Sequence, residues 1–196
     1  KEAQHKKLFL RKRYWLYYAL VFMSGARRQI FMVFAGFMMV EKFGFDVSSI
    51  AALYLVNHAI NMLVAGRIGK WIHKVGERRA LTFEYVGLVI VFTAYAFVDN
   101  ATIAGGLYIV DHLFFSMAIA IHTYFQKIAD PKDIAATSGV SFTINHIAAV
   151  VIPVLLGLVW LYSPAGVFLF GASLAVVSLI LARKIPDLPA PGQEVR

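Results

Sequence analysis

Cysteine is absent from all 196 residues. That excludes a disulfide framework and any thiolate metal site. Charge is scarce as well: Asp, Glu, Lys and Arg make up 15% of the chain, against about 25% in soluble domains. Acids are fewer than bases, 11 against 19, which leaves a formal charge of +8. No glycine-rich phosphate loop, HExxH pair, nucleophile elbow or CxxC pair occurs, so an enzyme is not expected and no cofactor is implied. The opening KEAQHKKLFLRKRYW lacks the short apolar core and small-residue cleavage site of a signal peptide. It reads as a basic, partly amphipathic approach to a membrane. Because the first residue is Lys, the chain is expected to be a processed or truncated piece of something longer.

What is present in excess is apolar surface. Hydrophobic residues make up 60% of the chain, and the mean hydropathy is +0.69. A membrane-spanning helix needs about 20 mostly apolar residues. Six stretches qualify: 14–40, 48–69, 80–98, 102–125, 136–161 and 164–183. A soluble helical bundle would need a polar stripe on each helix, and the last stretch, AGVFLFGASLAVVSLILA, has no charge on any face.

The basic residues set the orientation. They gather in the N-terminal stretch (Lys1, Lys6, Lys7, Arg11, Lys12, Arg13) and in the second connection (Arg67, Lys70, Lys74, Arg78, Arg79). The fourth connection adds Lys127 and Lys132, and the C-terminus adds Arg183, Lys184 and Arg196. Lys42 stands alone on the opposite side. Both termini are therefore expected in the cytoplasm, and the positive charge marks topology and contact with anionic lipid, not nucleic acid.

Two arginines break this pattern. Arg27 and Arg28 lie side by side within the first apolar run. An offset of 84 carries them onto Asp111 and His112, and it also aligns DVSSIAA at 46–52 with DPKDIAA at 130–136. VNHA at 56–59 answers INHI at 144–147 at an offset of 88. The two three-helix halves are therefore expected to be copies. A second three-helix unit must enter the membrane from the opposite side, which gives an inverted repeat.

The chain resembles the major facilitator superfamily, whose members have two six-helix halves, each a 3+3 inverted repeat. The family's signature loop follows the second helix of a half. The matching stretch is GKWIHKVGERR, with Gly69, His73, Lys74, Gly76, Arg78 and Arg79 in the motif positions. The glycine spacing and the basic cluster agree. His73 stands where the family has an aspartate, which weakens or alters the latch between halves that the resemblance implies. The basic N-terminal stretch and the proline-rich end make the chain most like a C-terminal half. The implied organisation is a linker-like segment over 1–13, repeats over 14–98 and 99–184, and a cytoplasmic tail over 185–196. The fold class expected is an all-α membrane protein with six transmembrane helices.

In this family the first and fourth helices of a half line the central cavity. The second and fifth pack near the other half, and the third and sixth face lipid. The polar residues agree. Arg27, Arg28, Asp111 and His112 lie on spans one and four, and Asn57, His58, Asn61, Asn145 and His146 on spans two and five. At about 1.5 Å per residue, Arg27 and Arg28 are roughly 20 Å from the start of their span, near the midplane. Glu84 is expected too close to the cytoplasmic end to share that depth, which leaves Asp111 as the one acid for two arginines. An arginine does not shed its proton, so an anionic substrate is one partner for the second guanidinium. The alternative is that both arginines bind Asp111, water and backbone carbonyls as internal struts.

Arg27, Arg28, Asn57, Asn61 and Asn145 are thus the candidate substrate-binding residues, although each Asn equally suits an interhelical hydrogen bond. Asp111, His112 and His146 are the candidate proton-coupling residues, against packing roles for the histidines. A three-His metal site has no supporting spacing within one helix. The function expected is secondary transport, symport or antiport, of a small anionic solute in the cytoplasmic (inner) membrane of a bacterium. The partners expected are the lipid bilayer and the N-terminal six-helix half or a second copy. The rival function is a non-transporting scaffold subunit in a larger membrane complex.

Overall fold

Inside a bilayer an unpaired backbone group has no water to turn to, so long apolar segments persist only as helices or closed barrels. Helices are what this chain forms. The computed structural model describes residues 10–196, so Lys1, Lys6 and Lys7 of the basic stretch lie outside the described residues.

A 3-10 turn (Lys12–Tyr14) leads into α1 (Trp15–Gln29), a π-helical stretch (Ile30–Ala35) and α2 (Gly36–Glu41). There follow α3 (Val47–Val75), α4 (Glu77–Phe97) and α5 (Ala101–Phe115). After a 3-10 turn (Ser116–Ala118) come α6 (Ile119–Ile128), α7 (Ile134–Trp160) and α8 (Pro164–Ala182). No β-strand forms among the described residues.

Five segments are long and apolar enough to cross a membrane: Val47–Val75, Glu77–Phe97, Ala101–Ile128, Pro131–Trp160 and Pro164–Ala182. The first apolar run differs from the single span read over 14–40. Its α-helix stops directly after Arg28-Gln29 and resumes at Gly36, with wider π turns between. Such insertions are common at functional sites.

Local chemistry fixes the ends. Asp46, Asn100 and Ser163 cap α3, α5 and α8, each accepting a backbone N–H from three residues on. These are the residue types that satisfy the orphan donors of a first turn. Between α3 and α4 the chain reverses through one residue, Gly76, at φ 85° and ψ 155°. Only glycine occupies that region freely.

Packing is uneven. The helix α4 lies along α8, and α1 lies along α7 and α8. In the most apolar windows of α4 and α8, 44% and 39% of residues are buried, against 6% for α3 and 17% for α7. The faces of α3 and α7 are thus the largest unpartnered surfaces of the bundle.

Ion pairs tie the helix ends together. At the end that carries both termini, Arg11 meets Asp133 at 2.8 Å, Arg13 meets Glu194 at 2.6 Å and Lys127 meets the buried Glu77 at 2.6 Å. At the other end Lys42 bridges to Asp99 at 2.6 Å, and Trp160 donates its indole N–H to Glu41 at 3.0 Å.

Two outcomes test these local assignments. Gly76→Ala forces a β-carbon into a glycine-only conformation and lowers stability by about 1–3 kcal/mol, read as a fall in melting temperature in detergent. The Asp46 carboxylate is held by the Ser49 side chain, the Ser48 hydroxyl and the Ser49 amide, which lowers its pKa from 3.8 to about 2. Because the folded value is depressed, the cap is fully present above pH 4 and is lost as pH falls through about 2. An NMR titration of the Asp46 carboxyl carbon should show that midpoint, and a midpoint near 4 would refute the cap.

Candidate functional site

Adjacent residues on a helix point about 100° apart, so Arg27 and Arg28 cannot serve one place. The structure sends them in opposite directions. Arg27 turns inward and is fully buried, with its guanidinium carbon 4.5 Å from the centre of the Tyr85 ring. Glu84 from α4 and Asp111 from α5 are also fully buried, and both lie within electrostatic range of Arg27. None of the Arg27 nitrogens, nor any carboxyl oxygen of Glu84 or Asp111, makes a hydrogen bond among the described residues. The three ionisable side chains form one buried cluster across three helices with no ion pair among them, and the Tyr85 ring face is the nearest support of Arg27.

This corrects the placement of Glu84. It is fully buried and within electrostatic range of Arg27, so Asp111 is not the one acid near that guanidinium. Position along α4 does not reveal this, because burial depends on the face that α4 turns to the bundle.

Arg28 turns the other way, into a cavity of about 330 Å³. Ser24 shares the wall from α1, His58 and Asn61 come from α3, His112 from α5 and Asn145 from α7. The His58 and His112 rings stand edge to face, 5.9 Å between centroids. Ser116 donates to the Asn61 side-chain oxygen at 2.9 Å and fixes that amide at the rim. Among the described residues Arg28 has no hydrogen bond or ion pair and is exposed. A β-carbon on Gly25 would fall 2.2 Å from the Asn145 side-chain oxygen, so only glycine lets α7 bring that amide to the cavity unmoved.

Irregular backbone flanks the same space. Phe31 of the π stretch and Ser116 and Ala118 of the 3-10 turn are all cavity residues. Moving Ser116–Ala118 back by the offset of 84 gives 32–34, inside Ile30–Ala35.

The remaining candidates fall elsewhere. Asn57 is buried off the cavity, without a hydrogen bond from its amide among the described residues. His146 is exposed and bonds the Phe142 carbonyl of its own helix at 2.8 Å. The neighbours Asp111 and His112 separate, one into the charge cluster and one into the cavity. In the motif loop, Gly69 lies within α3, and His73 and Lys74 are exposed on its last turn. Gly76 makes the turn, Arg78 pairs with Asp187 at 2.9 Å, and Arg79 is exposed. His122 also lines the cavity and was not singled out from the sequence. A histidine within the fourth apolar run was the available signal, and the 3-10 turn rephases the helix enough to hide its alignment with His112. No three His, Asp or Glu side chains gather as a metal group among the described residues.

A family model described as the Major Facilitator Superfamily matches residues 1–153. The chain belongs to the major facilitator superfamily. No curated protein and no solved structure matches it. Membership in this transporter family, with several apolar spanning helices, makes it an integral, multi-pass membrane protein of solute transport.

The cluster makes a sharp distinction between the two arginines. Arg27→Gln takes a fully buried cation off the face of the Tyr85 ring and should destabilise the fold by about 2 kcal/mol, the scale of a desolvated cation–π contact. Arg28→Gln should change the melting temperature little. Equal destabilisation by both variants, measured by thermal unfolding in detergent, would contradict the division.

Proposed function

We propose that the chain is a six-helix half of a secondary transporter that moves a small anionic solute by alternating access. One observation carries this reading: the exposed polar groups lie midway along membrane-spanning rods. Arg28, His58, Asn145 and His146 are all exposed there, and polar groups at such depth face water or protein, not lipid. A second six-helix half set against α3 and α7 would cover those faces and close the cavity around Arg28. The matched backbone irregularities at 30–35 and 116–118 support the 3+3 inverted repeat over 14–98 and 99–184. The basic residues at the end with both termini support a cytoplasmic location for the 185–196 tail and the basic segment before α1. A bacterial inner membrane fits the same charge bias.

Arg28 is the substrate contact, because its planar fork suits a carboxylate or phosphate and no acid lines the cavity. Asn61 and Asn145 supply neutral contacts beside it. Arg27 and Asn57, both buried off the cavity, organise the helices that present them. Proton coupling would place His112 at the solute, with Asp111 behind it in the charge cluster. His146 would meet the partner half. The scaffold reading draws on one feature, the replacement of the motif acid by His73.

Native mass spectrometry on protein released gently from its membrane should show a twelve-helix species. Uptake of labelled succinate or inorganic phosphate by vesicles carrying that assembly should fall at least tenfold in Arg28→Gln with the assembly intact. Unchanged uptake in that variant would sink the anion site. A six-helix chain at fixed stoichiometry in a larger complex, with no uptake, would favour the scaffold.

A further inference from the structure

A second basic pocket lies far from the cavity, at the end of the bundle that carries both termini. It encloses about 510 Å³ between the start of α4 and the end of α8. Three arginines line it: Arg78 and Arg79 from the first turn of α4, and Arg183 just past α8. The one carboxylate present is Asp187, which pairs with Arg78 at 2.9 Å and lies 3.8 Å from Arg196. Asp187 is thus already neutralised. Arg79 and Arg183 are exposed and have no ion pair or hydrogen bond from their side chains among the described residues. Two guanidiniums facing one pocket whose single lining acid is already paired form an anion site.

The rest of the lining identifies the anion's other end. Phe83 and Val86 complete the pocket, and they are 53% and 44% exposed. Arg79, Phe83 and Val86 follow one another at spacings of four and three, so they lie along one face of α4. The phenyl and isopropyl groups sit about 6 and 10 Å deeper along the helix than Arg79. Positive charge at the membrane edge, continuing into exposed apolar surface below it, matches an anion with a long apolar chain attached. A soluble anion would use the arginines and leave Phe83 and Val86 with no part in binding.

We propose that this pocket binds an anionic phospholipid, its phosphate held by Arg79 and Arg183 and its acyl chain laid over Phe83 and Val86. Arg78 is excluded from the phosphate by Asp187, which also ties the tail to α4 and shapes the pocket wall. The site rests only on the membrane setting, which the family and the spanning helices establish. It is independent of what the central cavity carries. Anionic headgroups concentrated in the cytoplasmic leaflet would supply the ligand.

The test is native mass spectrometry of the full chain in detergent doped with equal mole fractions of phosphatidylglycerol and phosphatidylcholine. The wild type should retain phosphatidylglycerol about tenfold more than phosphatidylcholine. Arg79→Gln and Arg183→Gln, singly and together, should reduce that retention to the phosphatidylcholine level. A control pair at the same end, Lys12→Gln with Lys132→Gln, should leave it unchanged. Inorganic phosphate and a short-chain phosphatidylglycerol separate the sources: phosphate competing as well as the long-chain lipid would mean a soluble-anion site and overturn the proposal. Equal retention by wild type and both single variants, or equal loss in the lysine control, would overturn it too. Each single variant changes one exposed residue, so circular dichroism should show native helix content. If the double variant fails to fold, the singles decide.

Discussion

A guanidinium that keeps its proton has to be accommodated wherever the fold puts it, and this fold puts one in its driest place. Arg27 is fully buried, at the point where α1, α4 and α5 converge. Removing a charge from water is unfavourable by several kcal/mol even after relaxation. The three helices bring compensation with them: the Glu84 and Asp111 side chains within electrostatic range and the Tyr85 face as a polarisable wall. Helix order and rotation around this point are constrained by that need. A one-residue slip of α4 would turn Glu84 out by about 100° and leave the cation without one of its acids.

The same constraint explains why α1 does not run as one regular helix. An uninterrupted 3.6-residue period would fix the direction of Phe31 and Phe34 from that of Arg27 and Arg28. The π stretch over Ile30–Ala35 relaxes that coupling. Phe31 can then pack on Tyr108, with ring centroids 4.6 Å apart, while Arg28 stays in the cavity. On the other side of the same space the 3-10 turn at Ser116–Ala118 performs a like adjustment. It lets His112 and His122 reach one cavity although ten residues separate them.

Much of this was legible in the residues. Apolar run lengths located the spanning helices, because the bilayer admits few alternatives to a helix. Counting along a helix of known rise put Arg28, His112 and Asn145 at like positions on their spans, and the three line one cavity. What could not be read was rotation. Depth along an axis says nothing about which way a side chain points, so Asp111 and His112 read as a pair although they face different environments. Glu84 failed for a related reason: its distance from the helix start was known, but not that α4 turns that face to the bundle centre. The π and 3-10 stretches carry no proline or glycine signature of their own, and they shift the phase on which such readings rest.

The uneven burial of the helices then becomes an argument about assembly. Lipid can cover Leu55, Met62 and Val154, and for an apolar face nothing more is needed. It cannot solvate Arg28 or the edge of His58 midway across the membrane. The face that displays these groups must look onto water or another protein, whereas α4 and α8, packed on each other, can meet lipid with apolar side chains alone. Such a bundle is dry behind and polar in front. The buried charge cluster is what keeps the front in place, because it joins the helix carrying Arg28 and the helix carrying His112 to the back wall through α4. The placement of the cavity side chains therefore depends on a buried residue that never reaches the cavity.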